Sequence, residues 1–163
     1  MSQETCRRRQ NSAGPRVNRA RRMTLNGSPA DLAATAAHDG PGKVTIVVCS
    51  SCRDETGSEA QPCAGYLLGL ATREAAINSD IAVRQVECLG NCKRRLSAAL
   101  LREGCWSYVF GDLSHDSGPD LVAGAALFAG ASDGLIPWRG RPEALKRGLV
   151  ARIPPHSALK DFA

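Results

Sequence analysis

Lys43-Val44-Thr45-Ile46-Val47-Val48-Cys49-Ser50-Ser51-Cys52 is the stretch that decides the fold. Val44 to Val48 is a nearly continuous β-branched run, the composition of a strand buried on both faces of a parallel sheet. It ends on two thiols separated by two serines. After a polar loop through Ser58, residues 62–77 place Ala64, Leu67, Leu68, Ala71 and Ala75 on one helical stripe, with Pro62 acceptable in the first turn. Ile81 to Glu87 (IAVRQVE) reads as a second strand. A strand-helix-strand succession of this length is a right-handed parallel crossover. It too ends on a cysteine, Cys88.

Downstream, Ser97 to Arg102 and Trp106 to Gly111 flank a short turn at Glu103 and Gly104, which predicts an antiparallel hairpin with Trp106, Tyr108 and Phe110 on one face. Pro119 opens a second helix, in which Leu121, Val122, Ala125, Phe128 and Ala129 recur at helical spacing. The order β-α-β-β-β-α, a mixed sheet covered by two helices, is the core pattern of a thioredoxin-like α/β fold. Residues 133–163, punctuated by Pro137, Pro142, Pro154 and Pro155, predict a surface-wrapping or mobile extension with at most one helical turn near Glu143 to Arg147. The expected organisation is one thioredoxin-like domain over 43–132, this Pro-rich extension, and a tail over 1–42.

The tail explains the charge. Among residues 1–22 are seven arginines and one acid, so the formal +5 of the chain comes from its first 22 residues. The body is nearly neutral, which removes the main support for nucleic-acid binding. The tail is rich in Arg, Ser, Asn, Gly and Pro without apolar periodicity, the composition of a disordered segment, and Met23 offers an alternative start just past the basic run. No run of 18 apolar residues and no secretory h-region is present in the sequence, so the expected location is the cytoplasm.

Seven cysteines in a reducing compartment point to metal ligands or redox chemistry rather than structural disulfides. Two close pairs stand out: Cys49-Ser-Ser-Cys52 and Cys88-Leu-Gly-Asn-Cys92, each directly after a predicted strand. Parallel neighbouring strands end at the same sheet edge, where ligand sites of open α/β sheets gather. With two or three residues between them, both sulfurs of a pair can address one centre, the geometry that zinc sites and iron-sulfur clusters share. Ser50, Ser51, Gly90 and Asn91 permit tight turns whose N–H groups can donate to sulfur, and Leu89 is placed to shield the site. The alternative is that all four are ordinary thiols. Cys63, near the start of the first helix, is a reserve ligand or else a small apolar residue of that turn; Cys6 and Cys105 read as free thiols. Lys93, Arg94 and Arg95 follow the second pair, either offsetting the negative charge of a cluster and guiding an acidic redox partner, or forming a solvated loop. His38, His115 and His156 lack metal-ligand spacing relative to either pair. No Ser/His/Asp set, phosphate-cradling loop or defined carboxylate pair is visible.

The stretches VCSSC (48–52), VECLGNCKR (86–94), CWSYVFGDL (105–113), DGLIPWRGRPEALKRG (133–148) and ARIPP (151–155) resemble an uncharacterised bacterial family of predicted metal-binding proteins related to thioredoxin-like two-iron, two-sulfur ferredoxins. The resemblance runs from Val44 to Pro155. It implies a thioredoxin-like fold with a metal or cluster at Cys49, Cys52, Cys88 and Cys92. Thioredoxin-like ferredoxins have a wide gap between their first two cysteines, closer to the spacing of Cys52 and Cys63, so the resemblance leaves Cys63 open as a replacement for Cys49 or Cys52. The family's genes often lie near cobalamin-related genes, which implies metal handling.

The sequence thus predicts a 2Fe-2S electron carrier or redox sensor that is not an enzyme in its own right, with a redox protein as partner. The alternative is a zinc-type metal-binding or metal-handling protein on the same thiolates. A CxxC thiol-disulfide oxidoreductase ranks below both, because about nine residues separate Cys52 from Pro62 and the stretch Lys93 to Ser97 before the third strand lacks a proline.

Overall fold

The computed structural model describes residues 42–162 except Glu55 and Glu59. The expectations for the basic tail, Cys6, His38 and Met23 fall on residues 1–41 and lie outside the described residues.

The β-branched run forms β1 (Thr45–Cys49) and the Ala/Leu stripe forms α1 (Ala64–Ala75). The helix starts two residues after Pro62, with Cys63 at its N-cap position in extended geometry. The next strand is β2 (Ala82–Val86), parallel to β1, with Cys49 opposite Val86. The hairpin forms as expected, from β3 (Ala98–Leu101) and β4 (Ser107–Phe110), and β3 also pairs antiparallel with β1. The second helix, α2 (Gly118–Ala129), carries Pro119 in its first turn. The β-α-β-β-β-α succession of a thioredoxin-like domain is therefore present in order.

By strand alternation and register, Ile46, Val48, Ala98, Leu100, Tyr108 and Phe110 share one sheet face. All are buried, together with Leu68 of α1 and Leu121 and Phe128 of α2. Tyr108 lies parallel to Phe110, with centroids 6.3 Å apart, and meets Phe128 edge-on at 5.5 Å. With so few aromatic residues, this trio supplies most of the large-ring burial in the core.

The C-terminal segment corrects one expectation. Its helical turn is α3 (Glu143–Arg147), but Leu149–Ile153 is not a wrapping segment: it is β5, antiparallel to β4 with a bulge near Val109 and Phe110. The sheet order is β2-β1-β3-β4-β5, and the sheet runs to Ile153 rather than ending before residue 133. Gly148 ends α3 and allows the turn: a Cβ there would sit 2.5 Å from the Gly111 carbonyl oxygen, and Gly111 N–H donates to the Gly148 carbonyl at 2.8 Å. Among the described residues no helix is long and apolar enough to cross a membrane.

Candidate metal centre

Parallel pairing of β1 and β2 sends the two cysteine turns out of the same sheet edge, side by side. The first turn is tied to the strand end that leads into the second. Ser50 N–H and Oγ both donate to the Val86 carbonyl, at 2.8 and 3.1 Å. Ser51 N–H donates to the Glu87 carbonyl at 3.3 Å, and Ser51 Oγ donates to the same oxygen. Cys49 Sγ lies 3.4 Å from that oxygen, a bond its neutral thiol donates. The serine N–H groups, expected to donate to sulfur, go instead to these carbonyls and couple the first cysteine pair to the residue before Cys88.

Cys49 and Cys52 are buried, at 2% and 8% exposure. The two thiols act on one another and take opposite acidities. The S–H of Cys52 is the main group that pulls the Cys49 thiol down to about 5; burial opposes the shift, and the Leu89 N–H and Ser51 reinforce it. Holding that bond, with burial and the Cys49 charge, pushes Cys52 far above the ordinary thiol range, against backbone N–H donation from Ser97 and Leu96. The Glu87 carbonyl would favour a neutral Cys49, but the donors around it outnumber this acceptor, so a thiolate at Cys49 and a thiol at Cys52 is the stable arrangement.

Two backbone features make this environment. Leu96 has φ +52°, a left-handed conformation that a leucine seldom adopts, and its side chain is buried at 4% exposure. Beside this reversal the backbone of Leu96 and Ser97 acts to lower the Cys52 pKa, against the larger effects that raise it. Opposite, α1 presses on the turn at Gly65: a Cβ there would sit 2.3 Å from the Cys49 carbonyl oxygen and 2.9 Å from the Cys52 nitrogen. Gly65 N–H donates to the Cys52 carbonyl at 2.8 Å.

The second turn is different in kind. Cys88 and Cys92 are exposed. Gly90, at φ +73°, reverses the chain so that its N–H donates to Cys88 Sγ at 3.2 Å. Asn91 Nδ2 donates to the Arg94 carbonyl at 3.2 Å and to Ser97 Oγ at 3.0 Å, anchoring the turn to the start of β3. Among the described residues no three His, Cys, Asp or Glu side chains are grouped closely enough to hold one metal ion. The structure brings Cys49 and Cys52 together, and it sets Cys88 and Cys92 on an adjacent exposed turn without bringing all four sulfurs to one point.

The donor set suits a thiolate-bound metal or cluster. Gly90 N–H donates to Cys88 Sγ at 3.2 Å, and the backbone of Leu89 beside Cys49, and of Leu96 and Ser97 beside Cys52, favours negative charge on those sulfurs. Such donors stabilise negative charge on sulfur and tune the metal it holds.

The remaining candidates separate. Cys63 is buried, with its sulfur 3.0 Å from the Ser50 carbonyl oxygen, and is disulfide-bonded. It backs the first turn. Cys105 is a free thiol. His115 is exposed beside Asp116 at 3.3 Å, and His156 begins a short 3-10 turn. The basic triplet divides. Arg94 turns inward, with Nε on Asp112 at 2.7 Å and its Nη atoms on the Leu149 and Arg147 carbonyls at 3.2 Å each. It staples the second turn to the C-terminal segment, which leaves Lys93 and Arg95 as the exposed members. Sequence reasoning missed this role of Arg94, the left-handed Leu96 and the close approach at Gly65; only the glycine carried a signal, as a lone Gly within an Ala/Leu helical stripe.

Residues 46–155 match the family profile described as a protein of unknown function, DUF1636, and the chain belongs to that family. No curated protein matches the chain, and no solved structure does.

Proposed function

We propose that this chain is a metal-binding protein of the cytoplasm that holds a two-iron, two-sulfur cluster on Cys49, Cys52, Cys88 and Cys92 and serves as a ferredoxin-like electron carrier or redox sensor. The observation that carries this reading is the pairing of two cysteine turns at one sheet edge, the first holding two buried thiols and the second a sulfur that accepts the Gly90 N–H. A bound cluster supplies a one-electron couple. The chain's own part is to offer Cys49 as a ready thiolate, to surround sulfur with donors, and to exclude water from the buried pair. Lys93 and Arg95, on the exposed side of the second turn, offset the cluster's negative charge and present a docking point for an acidic redox protein.

Zinc on the same four thiolates is the second reading; it uses one tetrahedral site and is favoured by the same donor set. Metal handling linked to cobalamin belongs with that reading. The opposite acidities of Cys49 and Cys52 also fit a dithiol oxidoreductase, but a nucleophilic thiolate must be reached by its substrate, and Cys49 is 2% exposed with no helix start beneath it. The ultraviolet-visible spectrum and metal content of protein purified without oxygen test the proposal. Broad absorption at roughly 320–460 nm with iron and acid-labile sulfide is expected of thiolate-ligated clusters; a colourless protein with stoichiometric zinc overturns the cluster in favour of the second reading.

A further inference from the structure

At the opposite end of the sheet from the cysteines, a cleft of about 570 Å³ opens between β5 and the segment that follows α2. Its lining includes Tyr108, Trp138, Arg141, Leu149 and Arg152, and most of it comes from the DGLIPWRGRPEALKRG block and its sequel ARIPP, to which the cysteine site gives no role. The volume is in the range of small-molecule sites.

Arg141 is the unusual residue. It is 7% exposed, one Nη donates to the Ile136 carbonyl, and its Nε has no hydrogen-bond partner among the described residues. Its guanidinium lies against two rings, with Cζ 5.8 Å from the Tyr108 centroid and 5.3 Å from that of Trp138. Arg152 stands near enough for its charge to disfavour that of Arg141, and its own Cζ is 4.5 Å from the Trp106 centroid. Among the described residues no carboxylate pairs with either arginine. Ring faces attract a cation but do not satisfy its N–H groups. A buried charge ordinarily has a hydrogen-bonded counterion, so Arg141 is incomplete as it stands, while Arg152 is exposed beside it. Lys146 adds a third cation, 5.8 Å from the Trp138 centroid, although it also meets Glu143 at 3.8 Å. The one acid of the lining, Asp133, is exposed and turned to its own loop, where it accepts from Leu135 N–H at 2.9 Å.

We propose that this cleft is a binding site for a small organic oxyanion, a carboxylate or a phosphate monoester, with its head on Arg141 and Arg152 and its body against Trp138 and Leu149. An oxyanion head can accept N–H groups from both guanidiniums together, reaching the enclosed Nε–H of Arg141 by a shift of that side chain, the geometry for which guanidinium is suited and ammonium is not. The site is independent of the cysteine centre.

The chain's two tryptophans each contact one of the two arginines, so intrinsic fluorescence reads the site directly. Full-length protein is titrated with inorganic phosphate and, separately, with benzoate, against sodium chloride of matched ionic strength. A saturable change with at least one probe, half-complete on the order of 1 mM for a head group bound alone, is expected; phosphate alone assigns phosphate monoesters, benzoate alone carboxylates, and both a general oxyanion head. Arg152→Gln, at an edge-strand position that tolerates the change, should weaken binding by roughly 10-fold or more. Arg141→Lys should weaken it comparably by losing the planar fork, whereas Arg147→Gln, outside the cleft, leaves it unchanged. No saturable response to either probe beyond that of chloride, or wild-type binding by folded Arg152→Gln protein, overturns the proposal.

Discussion

The two cysteine turns leave the same sheet edge and carry the same ligand chemistry, yet they are built oppositely. The 49–52 turn is buried, pinned to the carbonyls of Val86 and Glu87 and pressed by α1 at Gly65. The 88–92 turn is exposed and is anchored mainly through Asn91. The difference teaches how a metal site can be divided between a fixed half and an adaptable half. In the proposed site the fixed half would set ligand position and protonation before a metal arrives, and the exposed half would close over it. Metal-linked folding energy then falls mainly on the second turn.

Thiol labelling breaks this contrast most sharply. In reduced, metal-free protein, maleimide should modify Cys88 and Cys92 on the order of 100 times faster than Cys49 and Cys52, because labelling of the buried pair waits for local opening; peptide mass mapping over time reads it, and equal rates would mean that the first turn is not held. Next comes sterics. Gly65→Ala should cost about 3 kcal/mol in urea denaturation, since the new Cβ meets backbone that cannot give way and this outweighs the usual gain of alanine in a helix. A loss below about 1 kcal/mol would show that α1 does not define the turn.

The acidity of the buried pair gives a pH test. Cys49 ionises at about 5 in the fold and Cys52 only far above the ordinary thiol range, against 9.0 for both when unfolded. Between about pH 5 and 9 the unfolded chain holds both protons and the fold only one, so stability rises with pH. Above 9.0 the unfolded chain holds none and the fold keeps one, so stability falls. Reduced, metal-free protein should therefore show a rising Tm from pH 6 to 8 by a Cys49-dependent increment that Cys49→Ser removes. An unchanged slope in that variant would contradict the assignment. The smallest effects sharpen the comparison. Ser51→Ala should cost about 1 kcal/mol through its lost bond to Glu87. Gly90→Ala should cost about as much by a different route, its left-handed φ, because nothing lies within 4 Å of a Cβ there.

Much of this was legible in the chain, for identifiable reasons. Val44 to Val48 and the α1 stripe reveal themselves because burial on a strand or one helix face imposes a period that composition records. The two cysteine pairs are visible because their spacing is local. β5 was hidden: Leu149-Val150-Ala151-Arg152-Ile153 is a short edge strand in which only Leu149 and Ala151 are even partly covered, and the prolines around it spoke for turns. The left-handed Leu96 leaves no trace, since leucine has no preference for that conformation and only the tertiary frame imposes it. The inward direction of Arg94 was equally silent, because its partners Asp112, Arg147 and Leu149 are remote in sequence. The proposed site requires the four sulfurs to close by movement of the second turn, which the residues do not encode locally.

That closure is the central claim, and metal content per chain in single Cys→Ser variants purified without oxygen tests it most directly. Cys49→Ser, Cys52→Ser, Cys88→Ser and Cys92→Ser should each lose the bound iron or zinc, while Cys105→Ser keeps the wild-type amount. Full metal retention in Cys88→Ser and Cys92→Ser would contradict the account, because the exposed turn would then be no part of the site.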